Sequence, residues 1–111
     1  MISLRTQISL LLAFTVVSAE ADQFEATIEP YVRKYCLRCH NAKETKGDLD
    51  FTRSRNDGDV AAKFRRWKTI SVFIRSGEMP PKEQLQPEIQ ESNTVLQSIQ
   101  SIMTDAARKH A

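Results

Sequence analysis

The stretch Cys36-Leu37-Arg38-Cys39-His40 holds the chain's only two cysteines, three positions apart, with a histidine directly after them. Three chemistries use such residues: a redox dithiol, a metal knuckle and a haem attachment point. On a helical turn, positions i and i+3 share a face. Both thiols then reach the two vinyl groups on one edge of a haem, and the next residue carries its imidazole to the iron. This is the c-type haem attachment signature. A thioredoxin-like dithiol needs a βαβ setting, and no segment reads as a strand. A structural zinc site needs four ligands. Cys36, Cys39 and His40 supply three, the adjacent Cys-His pair suits one tetrahedral ion poorly, and the other histidine, His110, sits at the chain's end. A structural disulfide alone leaves the histidine unexplained. One covalent haem c is the expected cofactor, with thioethers to Cys36 and Cys39 and with His40 as proximal iron ligand. Leu37 and Arg38 are spacers, and Arg38 faces solvent.

A sixth iron ligand would come from Met79, Met103 or His110. Met103 falls on an apolar helical stripe, where methionine usually fills core space. His110 is at the terminus. Met79 follows a glycine stop and precedes two prolines, in a polar, non-helical stretch. An apolar thioether held in such a loop asks for a partner. The candidates rank Met79, then no sixth ligand, then Met103, then His110.

The elements that position these residues read as three helices with a long ordered loop between the first two. The first spans about residues 23–38, with Phe24, Ile28, Tyr31, Val32 and Tyr35 at helical spacing. Pro30 inside it calls for a kink or a restart after Glu29. Residues 41–58 are polar and turn-rich, punctuated by Gly47 and by Asn56-Asp57-Gly58. Within them Leu49 and Phe51 alternate to one side, either anchoring the loop to the core or touching a haem edge. The second helix spans about 59–76, with Asp57 or Asp59 near its N-cap. Val60, Phe64, Trp67, Ile70 and Ile74 form its apolar stripe, and Gly77 stops it. Trp67 either fills the core, packs on the haem or donates its indole N–H to a propionate. The third helix spans about 87–109, opened by Pro87. Its buried stripe is Ile89, Leu96, Ile99, Met103 and Ala106, with Val95 and Ile102 beside it.

Residues 1–21 stand apart. Arg5 is followed by an apolar run from Ile8 to Val17 and then by small residues. This is the layout of a secretory signal peptide, cleaved after Ala19 or Ala21. The run is about ten residues long, short of the roughly 20 that span a bilayer. Residues 22–111 are then one domain, periplasmic or otherwise exported, without stable membrane insertion after cleavage. The net charge is +2 with both signs mixed. That argues against a nucleic-acid binder, which would show a basic stripe. Lys34, Lys43 and Lys46 flank the motif, either as a solvated face or to steer a partner.

These residues resemble a known family. "IEPYVRKYCLRCHN", "KGDLDF" (Lys46–Phe51), the Trp67 helix and "SGEMPPKEQ" (Ser76–Gln84) are similar to the planctomycete cytochrome c domain, a relative of class I c cytochromes, over about residues 24–105. The resemblance implies a small all-α, cytochrome c-like fold wrapped around one covalent haem. It implies haem c on Cys36 and Cys39, His40 and Met79 as axial ligands, and an exported protein handling electrons. In that family the domain often opens a longer, multidomain chain. Here the sequence ends after the cytochrome region, which fits a free carrier or a truncated product. The leading expectation is a monomeric electron carrier, not an enzyme, exchanging single electrons with a redox donor and acceptor. The alternatives are an open-site haem enzyme or sensor, and a haem module docked in a larger redox assembly.

Overall fold

The computed structural model describes residues 8–15 and 22–110. Both expected cleavage points, after Ala19 and after Ala21, lie outside the described residues. Residues 8–15 have no regular secondary structure and are exposed. The rest of the described chain is helical, without strands. A π-helical turn (Phe24–Ile28) runs into α1 (Glu29–Tyr35). Two 3₁₀ turns follow, at Lys46–Asp48 and Phe51–Arg53. Then come α2 (Asp57–Ala62), α3 (Phe64–Ser76) and α4 (Ile89–Lys109).

The first helix restarts at Glu29, where Pro30 occupies its first turn. Proline is tolerated there because those N–H groups have no intrahelical partner. The Glu29 N–H instead reaches back to the Phe24 carbonyl, the wider π spacing. The helix stops at Tyr35, three residues before the expected end, so the haem motif lies on the turn beyond it. The N-terminus of this unit is capped from a distance. The Asp57 carboxylate accepts from the backbone N–H groups of Gln23 (3.2 Å) and Phe24 (2.7 Å).

The expected second helix is two helices. Lys63 leaves helical geometry (φ −112°, ψ 40°), and α3 starts again at Phe64. The N-cap of α2 is Asn56 rather than either aspartate; its side chain accepts from the Asp59 N–H at 2.8 Å. Phe64, expected in the stripe, is 53% exposed because it is the first residue of α3 and lies at the edge of its buried face, while Val60, Trp67, Ile70 and Ile74 are buried. Gly77 ends α3 with φ 77°, a left-handed conformation that costs glycine nothing.

Helix α4 opens two residues later than Pro87, with Glu88 and Glu91 forming a reciprocal capping box. Its buried residues are Val95, Ile99 and Ile102. The expected Ile89 is 80% exposed, because it is the first residue of the helix and precedes the packed turns. Helix α4 packs on the Phe24–Ile28 turn, α2 and α3. The core is the cluster Phe24, Ile28, Tyr31, Val32, Phe51, Val60, Trp67, Ile70, Ile74, Val95, Ile99 and Ile102.

Glu91 ties the two ends of the chain together. The Tyr35 hydroxyl donates to its Oε1 at 2.7 Å, and Lys34 Nζ lies 3.7 Å from its Oε2. The same Oε1 accepts from the Glu88 N–H at 3.1 Å. The Tyr35 hydroxyl, followed by the Glu88 N–H, holds the Glu91 carboxyl below the ordinary glutamate value. The stability from this depressed value is present above the unfolded-state pKa and is lost as pH falls through the folded-state pKa. Acid titration of stability should therefore show a loss in that window that the Glu91→Gln variant lacks. Chemical denaturation also tests the corrected stripe. Ile99→Ala should cost about 2–5 kcal/mol, and Ile89→Ala less than about 0.5 kcal/mol.

Candidate haem site

The turn after α1 keeps helical spacing without continuing the helix. The N–H groups of Cys36 and Leu37 both reach the Val32 carbonyl at 2.9 Å. Those of Cys39 and His40 then reach the Cys36 carbonyl at 3.3 and 3.2 Å. Cys36 and Cys39 sit one turn apart, both half-buried and not joined by a disulfide. Burial pushes the Cys36 thiol up to about 12. A thiol that holds its proton this firmly is a poor exchange nucleophile, which speaks against the dithiol reading.

His40 is fixed by the loop that follows. Its Nδ1 lies 2.7 Å from the Lys46 carbonyl oxygen. A carbonyl only accepts, so in the neutral ring Nδ1 carries the proton and Nε2 keeps a free lone pair. A metal-binding imidazole needs this arrangement. The loop delivers the carbonyl through two left-handed residues, Gly47 (φ 66°) and Asp48 (φ 57°). Glycine pays no steric penalty there, and aspartate is among the side chains that tolerate it. The loop is tied at both ends to the motif: His40 pairs with Thr45, and the Phe51 N–H donates to the His40 carbonyl at 3.0 Å. Asn41 holds the junction. Its Nδ2 donates to the carbonyls of Leu37 (2.7 Å) and Arg38 (3.2 Å), and its Oδ1 accepts from the N–H groups of Lys43 and Glu44 at 3.0 and 2.9 Å.

An aromatic series runs inward from the histidine. Phe51 stands edge-on to His40 with ring centroids 5.8 Å apart, and to Trp67 at 5.6 Å. Trp67 in turn meets Phe24 at 6.4 Å. Trp67 is 2% exposed, and its indole N–H points at the buried Ser54 hydroxyl, 3.4 Å away. It is a core residue one ring removed from the histidine. Leu49 is half-buried against the same cluster. The structure thus brings Cys36, Cys39, His40, Phe51 and Trp67 into one connected region.

Met79 sits apart from these residues. It is 39% exposed and lines a cleft with Ile74, Gly77, Pro87, Ser92 and Leu96, between the end of α3 and the start of α4. Its N–H donates to the Phe73 carbonyl at 3.2 Å. Gln86 staples the proline segment by donating to the carbonyls of Pro80, Pro81 and Gln84. Arg38, exposed as expected, links the motif to this loop, donating to Gln84 Oε1 at 3.3 Å. Met103 is half-buried against the core, and His110 lies beyond α4.

Residues 36–83 match the family model for planctomycete cytochrome c. The match covers 48 of the chain's 111 residues. The cytochrome c match runs from the first attachment cysteine to just past Met79-Pro80-Pro81, narrower than the expected 24–105, yet it holds all seven singled-out residues: Cys36, Cys39, His40, Leu49, Phe51, Trp67 and Met79. A cytochrome c holds haem c covalently, and the half-buried cysteine pair beside His40, whose Nδ1 is engaged by the Lys46 carbonyl, fits that group. No curated protein and no solved structure matches the chain.

Sequence reasoning missed Asn41, Ser54, Tyr35 with Glu91, and the Lys46 carbonyl. Only Asn41 carried a signal, as a turn-forming residue directly after the motif. Asn41→Ala should lower stability by about 1–2 kcal/mol and reduce the haem-loaded fraction, read from denaturation and from the haem-to-protein absorbance ratio.

Proposed function

We propose that the protein is an exported monohaem c-type cytochrome that carries single electrons. The observation that carries this reading is the His40 Nδ1 bond to the Lys46 carbonyl (2.7 Å), which prepares Nε2 for iron beside a cysteine pair inside the family match. When bound, haem c supplies one-electron Fe(II)/Fe(III) cycling. Cys36 and Cys39 would hold it covalently, and His40 would bind its iron through Nε2, made more basic by the carbonyl that accepts the Nδ1 proton. Met79 is the proposed sixth ligand, a thioether in a loop secured at Phe73 and Gln86. Such a ligand raises the potential relative to a second imidazole. With His40 and Met79 both given to the iron, no coordination site would be left for a substrate, which favours a carrier over an enzyme. Export is supported by the residue 1–21 pattern. No helix among the described residues is long and apolar enough to cross a membrane.

Intact mass and a pyridine haemochrome assay on secreted material should give the mature chain plus one haem. The ferric protein should be low-spin, with a methionine–iron charge-transfer band at the red end of the visible. Met79→Ala should abolish that band and open the reduced protein to carbon monoxide. Rapid carbon monoxide binding by the wild type would replace the carrier with the open-site reading.

A further inference from the structure

Helix α3 faces the core with Trp67, Ile70 and Ile74. Phe64, Lys68 and Val72 follow at i, i+4 and i+8, a spacing that puts them together on the other side, and all are exposed; Arg75 instead borders the clefts toward α4. Arg65 joins them, its guanidinium 5.9 Å from the Phe64 ring. From Lys63 to Gly77 the chain has five cationic residues and no acidic one. Arg65, Lys68 and Arg75 form no ion pair with any described residue. Phe64 and Val72, each 53% exposed, give this cationic face an apolar component.

The lysines around the haem motif differ. Lys34 is engaged by Glu91 and by the Tyr35 ring, and Lys46 by Glu44. Only Lys43 of the three stands without an ion pair among the described residues. A docking charge already neutralised within its own chain steers a partner weakly. An exposed aromatic flanked by arginine is also the composition of an interface core rather than of ordinary surface.

We propose that the outer face of α3, built on Phe64, Arg65, Lys68 and Val72, docks an acidic protein partner through a carboxylate-rich patch with an apolar centre. This deepens the electron-carrier reading by naming the partner's chemistry and rests on that reading only for what the docking serves. The inner side of the same helix carries Trp67, which reaches His40 through Phe51. A partner on α3 is therefore separated from the iron ligand by packed aromatic rings.

The test titrates the haem-loaded, ¹⁵N-labelled protein with poly-glutamate and, separately, with anionic phosphatidylglycerol vesicles. Shift changes should concentrate on residues 63–76, and affinity should fall about tenfold between about 20 and 200 mM salt. Arg65→Glu with Lys68→Glu should abolish binding, Phe64→Ser should weaken it, and Lys34→Glu with Lys46→Glu should leave it within about twofold. Far-UV circular dichroism checks that each exposed-site variant is folded. Shifts centred on residues 34–46, binding that survives the α3 charge reversals, or binding to vesicles without binding to poly-glutamate would each overturn the proposal. Haem content is measured on the same sample, so a failure of the cytochrome reading is seen separately from a failure of the docking face.

Discussion

The hydrogen bond from His40 Nδ1 to the Lys46 carbonyl is the constraint around which the site is arranged. Without it the imidazole would rotate and exchange tautomers, and Nε2 would have no fixed direction. The bond requires the carbonyl of a residue six positions on to return to the ring. That return depends on left-handed geometry at Gly47 and Asp48, and on a loop closed at His40 itself by the Phe51 N–H. The residue whose N–H closes the loop, Phe51, also packs its ring on His40, so backbone and side chain of one residue restrain the ligand from two directions.

This local frame needs a rigid support, and α4 provides it from the far end of the sequence. Helix α1 is short, and a helix of two turns is not stable alone. It is held because α4 packs against the turn before it and because Glu91 receives Tyr35 and Lys34 from its last turn. Glu91 also completes the α4 capping box, so the group that starts the C-terminal helix fixes the residue immediately before Cys36. The attachment turn inherits its position from that contact.

The candidate attachment motif was legible in the sequence because it is written in residue types at fixed short spacing, and the turn that carries it keeps that spacing. The helical content was legible because apolar periodicity reports it directly. What escaped was set by backbone rather than by side chains. The Lys46 carbonyl has no residue-type signature. The helix break at Lys63 was invisible because Val60, Phe64 and Trp67 keep a helical stripe across it, and lysine is an ordinary helix former. Ile89 fitted the periodicity of α4 but lies at its first residue, before the packed turns begin. Met79 was placed in a proline-held loop correctly, but the cleft it lines, between α3 and α4, depends on a packing that spacing does not encode.

The break at Lys63 lets α2 and α3 meet the core as two separate helices. In α3, Trp67, Ile70 and Ile74 fill the interior, and Trp67 meets Phe51. Phe64 opens α3 at the exposed surface, beside Arg65 and Lys68. The break is itself anchored, since the Lys63 N–H is shared between the Asp59 and Val60 carbonyls and its ammonium donates to the Arg53 carbonyl at 3.2 Å. The same turn that carries Phe51 toward His40 therefore also holds the residue that opens the cationic face, linking the geometry around His40 to that of the surface outside it.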